Sequence, residues 1–316
     1  MLGDYSLGIV ERPEAELAKL REEIFALKKQ LSAVIVAHNY QLPEVQDIAD
    51  FVGDSFELAR RTAELKTDII VFCGVDFMAE TAKILNPGAT VLLSAATACC
   101  PMAAMISEAD LAEWKEKYPK AGVVSYVNTT AAIKAGSDIC CTSANSVRVV
   151  ESLPNDEILF VPDKNLGHYV STKTKRKIII YPGYCVTHER LTAEEVKEAR
   201  LQHPGAKVIV HPECRPEVVD IADVVLSTSQ MIRYAKESPD TTFLIGTEMG
   251  LLHRLYLENP TKKFYLIAPS LICPNMKRTR LETVIETMKY RKNSITVPED
   301  IRIKAKRALD RMLAVG

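Results

Sequence analysis

The sequence predicts an α/β protein made of three homologous αβα sandwich domains, with parallel sheets around a pseudo-threefold axis and an active site at the centre. Near-continuous runs of Val, Ile and Leu alternate with helical segments, which is typical of parallel strands buried on both faces. Polar markers also recur at intervals of about 86 residues, which indicates an internal repeat. Because ligands bind beyond the carboxyl ends of parallel strands, we expect the copies to share one central site.

Four sets of residues define the repeat, and each set contributes one residue to every copy. The sets are His38, Tyr126 and His211 at strand ends; Asp50, Asp138 and Asp223; Ser55, Ser143 and Ser227; and Cys100, Cys185 and Cys273. Members of the first two sets lie 88 and 85 residues apart, the serines 88 and 84, and the cysteines 85 and 88. We therefore infer three copies of one unit, and we expect all four markers at the carboxyl ends of strands.

The elements of one unit can be followed in the third copy. Strand "KVIVHP" precedes the short helix "RPEVVDI", strand "ADVVLS" precedes helix "SQMIRYAKES", and strand "TTFLIG" precedes helix "EMGLLHRLYLE". A fourth strand, "KKFYLIAP", leads to the cysteine, and a last helix returns. The order of the predicted elements is therefore βαβαβαβ, followed by a cysteine loop and a closing helix.

The repeat divides the chain into five segments. Residues 31–118, 119–203 and 204–290 are the three αβα repeats, residues 1–30 contain a helix that packs on the core, and residues 291–316 form a C-terminal helix. The N-terminal helix has an apolar stripe with steps of three and four residues, formed by Leu17, Leu20, Ile24, Leu27 and Leu31.

Composition excludes several classes of partner. The formal net charge of −1 gives no electrostatic reason to expect nucleic acid or an anionic membrane as a partner. The sequence shows neither an apolar run long enough to span a membrane nor the pattern of a signal peptide, so we expect a cytoplasmic protein. In that reducing compartment, the eight cysteines are expected to be metal ligands, nucleophiles or core residues rather than disulfides.

The cysteines in register predict a metal centre. The register selects Cys100 over the adjacent Cys99, because only Cys100 keeps the interval to Cys185 and Cys273. Three thiolates can hold zinc with one open position, or three irons of a [4Fe–4S] cluster. The chain has no close CxxC pair, and ligands that come one from each domain suit a larger object at a domain junction. This favours the cluster, whose fourth iron could act on the substrate as a Lewis acid.

Two further groups of residues are expected at the same cavity. Ser55, Ser143 and Ser227, with Thr228, precede helices, where hydroxyl and free N–H groups bind anions; the alternative is that each is a plain N-cap. Converging hydroxyls would suit a substrate with several carboxylates or a phosphate. Possible acid, base and stacking groups near the strand ends are His38, Tyr40, Tyr126, Asn128, His188, His211 and Glu213.

The motifs that contain these residues resemble those of the quinolinate synthase family of de novo NAD biosynthesis. They are "AHNYQLPEVQDIADFVGDS", "SYVNT", "CTSAN", "GYCVTH", "HPEC", "STSQM" and "CPNM", and the resemblance runs from about residue 33 to about residue 280. It implies three αβα domains around a [4Fe–4S] cluster held by three cysteines. It also implies condensation of iminoaspartate with dihydroxyacetone phosphate to give quinolinate, phosphate and water.

The resemblance further implies a role for each matching residue. Cys100, Cys185 and Cys273 would be the cluster ligands, and His38, Tyr40, His188 and Glu213 the catalytic groups. The substrate-binding set would be His38, Ser55, Tyr126, Asn128, Ser143, His211, Glu213, Ser227 and Thr228. The expected partners are the two small-molecule substrates and the enzyme that supplies iminoaspartate. Some family members have a CxxC motif at the third ligand, but Met276 stands three residues after Cys273 here, so a disulfide switch is not expected.

Two other functions are compatible with three converging cysteines. One is a zinc hydrolase with a Cys₃ site, which metal analysis would separate from an iron–sulfur enzyme. The other is a non-catalytic iron–sulfur carrier, although carriers usually have a fourth cysteine ligand.

Overall fold

A computed structural model describes residues 12–315 of the chain. In this range the strands form three four-stranded sheets, and every strand pair in them is parallel. The first sheet contains β1 (Ala33–His38), β2 (Phe51–Gly53), β3 (Ile69–Cys73) and β4 (Thr90–Leu93); the second contains β5 (Gly122–Tyr126), β6 (Ile139–Cys141), β7 (Glu157–Val161) and β8 (Lys177–Ile180); the third contains β9 (Lys207–Val210), β10 (Val224–Val225), β11 (Thr242–Gly246) and β12 (Lys263–Leu266). Each sheet has the order second, first, third, fourth strand. The predicted fold class is therefore confirmed.

Helices alternate with these strands in the order predicted for the repeat. They are α1 (Glu14–Leu31), α2 (Pro43–Asp47), α3 (Ser55–Glu64), α4 (Asp76–Leu85), α5 (Glu108–Lys117), α6 (Ala131–Ala135), α7 (Ser146–Ser152), α8 (Lys164–Ser171), α9 (Ala193–Gln202), α10 (Pro216–Val219), α11 (Thr228–Glu237), α12 (Leu251–Glu258), α13 (Leu281–Tyr290) and α14 (Glu299–Val315). A short 3₁₀ helix follows each cysteine in register, at Met102–Met105, His188–Arg190 and Met276–Arg278. Within residues 12–315, no helix combines the length and apolar character that a membrane crossing requires.

The repeated aspartates have a structural role that differs from the expectation. In each copy the carboxylate accepts an N–H of the first strand, and the aspartate lies just before the second strand. The three bonds run from Ile35 N–H to Asp50 (2.8 Å), from Val123 N–H to Asp138 (2.7 Å) and from Val208 N–H to Asp223 (2.7 Å). These residues therefore join the first strand to the start of the second. The prediction that all four markers lie at the carboxyl ends of strands is wrong for this set.

The closing helix of each repeat packs on the sheet of the next repeat and does not return to its own. Leu111 of α5 packs among residues of the second sheet, and the ring of Trp114 lies 5.2 Å from that of Tyr181. In the same way, Val196 of α9 packs in the core of the third sheet, and Val284 of α13 packs in that of the first. Each sandwich therefore contains layers from two repeats, which connects the three units in a cycle.

The terminal helices complete this arrangement. Helix α1 packs against α13 and β1, and its predicted stripe faces the core of the first sheet, with Ile24 fully buried. Helix α14 packs against α6, α7 and β6 of the second unit and α4 of the first. Residues 1–11 of the predicted N-terminal segment and residue 316 of the predicted C-terminal one lie outside the described range.

Candidate functional site

One cavity is lined by residues from all three repeats. They come mainly from the segments that follow the carboxyl ends of the first and fourth strands. Of the residues predicted for the site, the cavity brings together His38, Tyr40, Ser55, Cys100, Tyr126, Asn128, Ser143, Cys185, His188, His211, Glu213, Thr228 and Cys273. Ser227 is the one predicted residue that does not line it.

The strand register explains why Thr228, and not Ser227, belongs to the cavity. Ser55 and Ser143 each lie two residues past the partner of the strand-end residue, because His38 pairs with Gly53 and Tyr126 with Cys141. In the third copy Val210 pairs with Val225, so His211 corresponds to position 226 and the equivalent hydroxyl is that of Thr228. The intervals from Ser55 to Ser143 to Thr228 are then 88 and 85 residues, as in the other sets.

Ser227 instead caps the helix that follows it. Its Oγ accepts the N–H of Gln230, and the Gln230 side chain accepts the N–H of Ser227, which completes a capping box. The Ser227 hydroxyl also lies 3.3 Å from Oδ2 of Asp54, the N-cap residue of α3. The predicted role of Ser227 in substrate binding is therefore corrected to a structural one.

The three cysteines in register converge on the cavity. Burial raises the pKa of the Cys100 thiol, and the neighbouring Cys273 thiol raises it further. Burial also raises the pKa of Cys185, with smaller contributions from Glu213, Cys100 and Cys273. The three sulfur atoms are therefore close enough to repel one another as thiolates, and a cation between them would relieve that repulsion. Cys99 is exposed at the surface.

Each of these cysteines lies in a loop of the same construction, which we call a thiol loop. The three thiol loops run from the end of the fourth strand through the 3₁₀ helix and contain Cys100, Cys185 and Cys273. Backbone N–H groups after each cysteine hydrogen-bond to its sulfur: those of Met102 and Ala103, of His188, and of Asn275 and Met276. Such donors stabilise a thiolate and are a common feature of iron–sulfur ligands.

A buried or partly buried carboxylate holds each thiol loop from behind. The N–H of Cys100 donates to Asp76 (3.2 Å), that of Cys185 to Asp163 (3.1 Å) and that of Cys273 to Glu248 (3.1 Å). These acids lie 87 and 85 residues apart, so a repeat search that treated Asp and Glu as equivalent could have found them. The sequence prediction missed them because no motif marks the position and one copy has Glu.

Glu213 is the centre of the ionisable groups in the cavity. Its Oε2 lies 2.8 Å from Nδ1 of His188 and 3.3 Å from Nδ1 of His211, and the two imidazole rings stack at 4.7 Å. Burial alone would raise the pKa of Glu213, but His211 and His188 outweigh it and hold the pKa well below its usual value. The other oxygen, Oε1, is buried and has no hydrogen-bond partner among the described residues. An ionised oxygen is therefore available to a ligand.

The aromatic and imidazole groups around Glu213 are in their neutral forms at neutral pH. Burial lowers the pKa of His38 to about 3. Nδ1 of His38 lies 3.1 Å from the N–H of Tyr40 and accepts it, so the ring proton is assigned to Nε2. Burial, and next the charge of Glu213, raise the pKa of Tyr40 and Tyr126 well above the usual value, so both phenols are hydrogen-bond donors.

The remaining polar groups of the cavity can bind a ligand directly. Asn128 Oδ1 is buried and lacks a hydrogen-bond partner within residues 12–315. Ser143 Oγ lies 3.2 Å from Nε2 of His211, and Thr228 Oγ1 accepts a hydrogen bond from Asn39 at 2.9 Å. Ser55 and Thr228 are also the first residues of α3 and α11, where free N–H groups favour anions.

Comparison with known proteins agrees with this geometry. Residues 22–314 match the family model described as quinolinate synthetase A protein. The chain belongs to this family. The match extends beyond the segment in which the motifs were recognised and includes most of both terminal helices.

Three quinolinate synthases illustrate the similarity. The chain is 54% identical over 300 residues to the quinolinate synthase of Methanoregula boonei, covering 95% of this chain and 99% of that protein. It is 54% identical over 295 residues to that of Thermodesulfovibrio yellowstonii, covering 93% and 97%. It is 51% identical over 302 residues to that of Caldicellulosiruptor saccharolyticus, covering 95% and 100%. Since the match covers nearly all of both chains, no large domain distinguishes them from this protein.

Members of the quinolinate synthetase A protein family with this cavity have two sets of side chains that could hold a metal. One is the set of three thiols, and the other consists of Cys185, His188 and Glu213, whose donor atoms lie within 4.8 Å of one another. Cys185 is common to both sets. The structure therefore offers a site for a cluster between the repeats and a site for a single ion on one side of the cavity.

Proposed function

We propose that this protein is a quinolinate synthase of NAD biosynthesis, which condenses iminoaspartate with dihydroxyacetone phosphate and releases phosphate and water. The observation that carries the proposal is the convergence, in one cavity, of a thiol and a hydroxyl from each repeat with the ionised Glu213. The names of the similar proteins support the activity. Both substrates and the product are anionic, which agrees with hydroxyl groups at helix N-termini on the cavity wall.

We further propose that the thiols of Cys100, Cys185 and Cys273 hold a [4Fe–4S] cluster. The fit is supported by their mutual proximity, by the N–H groups directed at each sulfur, and by burial that disfavours free thiolates. When bound, such a cluster supplies a Lewis acid at its iron without a protein ligand.

The site at Cys185, His188 and Glu213 fits a resident metal less well. Nδ1 of His188 lies 2.8 Å from Glu213 Oε2 and 3.2 Å from Cys185 Sγ, so it faces two acceptors and carries the ring proton. A metal ion there would have to displace that proton and the hydrogen bond to Glu213. The thiol set requires no such change, because its N–H groups come from the backbone. The zinc hydrolase is therefore the less favoured function.

The side chains have distinct roles in the proposed reaction. Glu213 takes a proton from the substrate through Oε1, because that oxygen is ionised and unpartnered. The neutral His38 and the two phenols donate hydrogen bonds to substrate oxygens, and Asn128 Oδ1 accepts one from a hydroxyl or N–H group. A simple iron–sulfur carrier would have no need for these buried groups, so their presence favours an enzyme.

Anaerobic purification followed by metal analysis and an activity assay tests the proposal. We expect iron and sulfide, an electron paramagnetic resonance signal after reduction, and formation of quinolinate from the two substrates. Zinc in place of iron, with no quinolinate formed, would support the hydrolase. Reversible electron transfer without dicarboxylate binding would support the carrier.

A further inference from the structure

Thr247 connects two of the proposed catalytic side chains, although it is not among the described residues that line the cavity. It directly follows β11 and is fully buried. Its Oγ1 lies 2.6 Å from the hydroxyl of Tyr40 and 2.9 Å from Nε2 of His188. A residue of the third repeat therefore bridges a side chain of the first repeat and one of the second.

The hydrogen positions in this bridge follow from the number of donors available. His188 Nδ1 faces Glu213 Oε2 and Cys185 Sγ, both acceptors, so Nδ1 carries the proton of the neutral ring and Nε2 is an acceptor. The single hydroxyl proton of Thr247 must then point to Nε2. Tyr40 in turn donates to Thr247 Oγ1. The result is a continuous chain of donors from Tyr40 through Thr247 and His188 to Glu213.

The fold itself does not require a hydroxyl at this position. Thr247 precedes Glu248, the carboxylate that accepts the N–H of Cys273. The residues that precede the equivalent carboxylates in the other two copies are Val75 and Pro162, neither of which has a side-chain hydroxyl. The third copy alone places a hydroxyl between Tyr40 and His188, which points to a role in the site.

We propose that Thr247 is a positioning residue that couples Tyr40 to Glu213 and lets one proton pass between them. The Tyr40 proton moves to Thr247, the Thr247 proton to His188 Nε2, and the Nδ1 proton of His188 to Glu213 Oε2. Tyr40 regains a proton from the substrate and Glu213 returns one to it, so no proton is lost and the substrate changes only the position of a hydrogen. This inference rests on the proposed function, because it assigns the substrate's proton transfers to these groups.

The test compares Thr247→Val, which removes the hydroxyl at nearly constant volume, with Thr247→Ser, which keeps it. Thr247→Val should lower kcat by roughly 10-fold to 10²-fold, the range of a lost acid–base contribution, with KM, quinolinate affinity and iron content unchanged. Thr247→Ser should restore kcat to within about threefold, since it restores the chain of donors. The matched control is Thr62→Val, because Thr62 is equally buried but bonds to its own helix at Leu58.

A second measurement separates this inference from the proposed function. In protein labelled with [ζ-¹³C]tyrosine, the Tyr40 resonance, identified by its loss in Tyr40→Phe, should shift in Thr247→Val and stay in place in Thr247→Ser. That result does not depend on turnover, whereas absence of quinolinate formation by the unchanged protein would reject the proposed function. Wild-type kcat in Thr247→Val, or a Thr247→Ser variant as slow as Thr247→Val, would overturn the relay.

Discussion

The thiol loops and the rest of the cavity wall differ in how far they keep the symmetry of the repeat. In every copy the cysteine follows the fourth strand, receives backbone N–H groups at its sulfur, and donates its own N–H to a carboxylate. The polar rim, which we define as His38, Tyr40, Tyr126, Asn128, His188, His211 and Glu213, has no such regularity. The strand-end residue is His, Tyr and His in the three copies, and Glu213 lacks a carboxylate counterpart at the matching positions.

This difference separates two demands on one cavity. A group held equally by three copies needs equivalent ligands, and each thiol loop supplies one. An asymmetric substrate that loses and gains protons at different atoms needs different groups around it, and the rim supplies those. The three hydroxyls of Ser55, Ser143 and Thr228 are intermediate, because they keep the register of the repeat but contact different neighbours.

The largest expected effect would break the symmetric half. Changing Cys100, Cys185 or Cys273 to Ser should abolish iron binding and quinolinate formation, because each removes one of three equivalent ligands. Iron per chain after anaerobic purification measures this. Cys99→Ser is the control, since this neighbouring thiol is exposed and out of register. Loss of iron in Cys99→Ser with retention in Cys100→Ser would mean that the register selects the wrong cysteine.

The next effect concerns the asymmetric half. Glu213→Gln keeps the size of the side chain and removes its charge, so it should lower kcat by roughly 10²-fold or more while iron content stays normal. Glu195→Gln is a matched control, because Glu195 belongs to the capping box of α9 and Gln can replace Glu there. Near-normal turnover of Glu213→Gln with an intact iron centre would move the role of base to another rim residue.

The sequence could predict the three-copy fold because burial of parallel strands leaves apolar runs that repeat with the unit. It could predict most of the cavity for the same reason, since residues after equivalent strands must meet. It could not predict where the closing helices pack. The apolar face of α5 shows that the helix is buried, but the choice between two similar sheets depends on loop geometry.

Residues that act through other residues were also beyond the sequence. Thr247 has no motif, and its bridging position exists only once three repeats are assembled. The choice between Ser227 and Thr228 depended on a difference of one residue, which the pairing of Val210 with Val225 resolves. Hydroxyls on both residues made the two registers indistinguishable by composition.

The hydroxyls in register give a smaller effect that sharpens the comparison. Ser55→Ala, Ser143→Ala and Thr228→Val should each weaken quinolinate binding by roughly 1–3 kcal/mol, the size of a hydrogen bond to a charged group. Calorimetry on the anaerobic protein measures the affinity. Unequal losses would show that the substrate's anionic groups contact the copies unequally, whereas unchanged affinity in all three variants would make these residues structural.

The smallest effect distinguishes Ser227 from its neighbour Thr228. Ser227 caps α11, so Ser227→Ala should lower the free energy of unfolding by about 1 kcal/mol, as typical N-caps do, and leave quinolinate affinity unchanged. Ser107→Ala, which removes the cap of α5, is the control and should destabilise the protein by a similar amount. Urea unfolding and calorimetry on the same samples measure both quantities. The corrected register depends on the two neighbours behaving differently, so a loss of affinity in Ser227→Ala as large as that in Thr228→Val would contradict it.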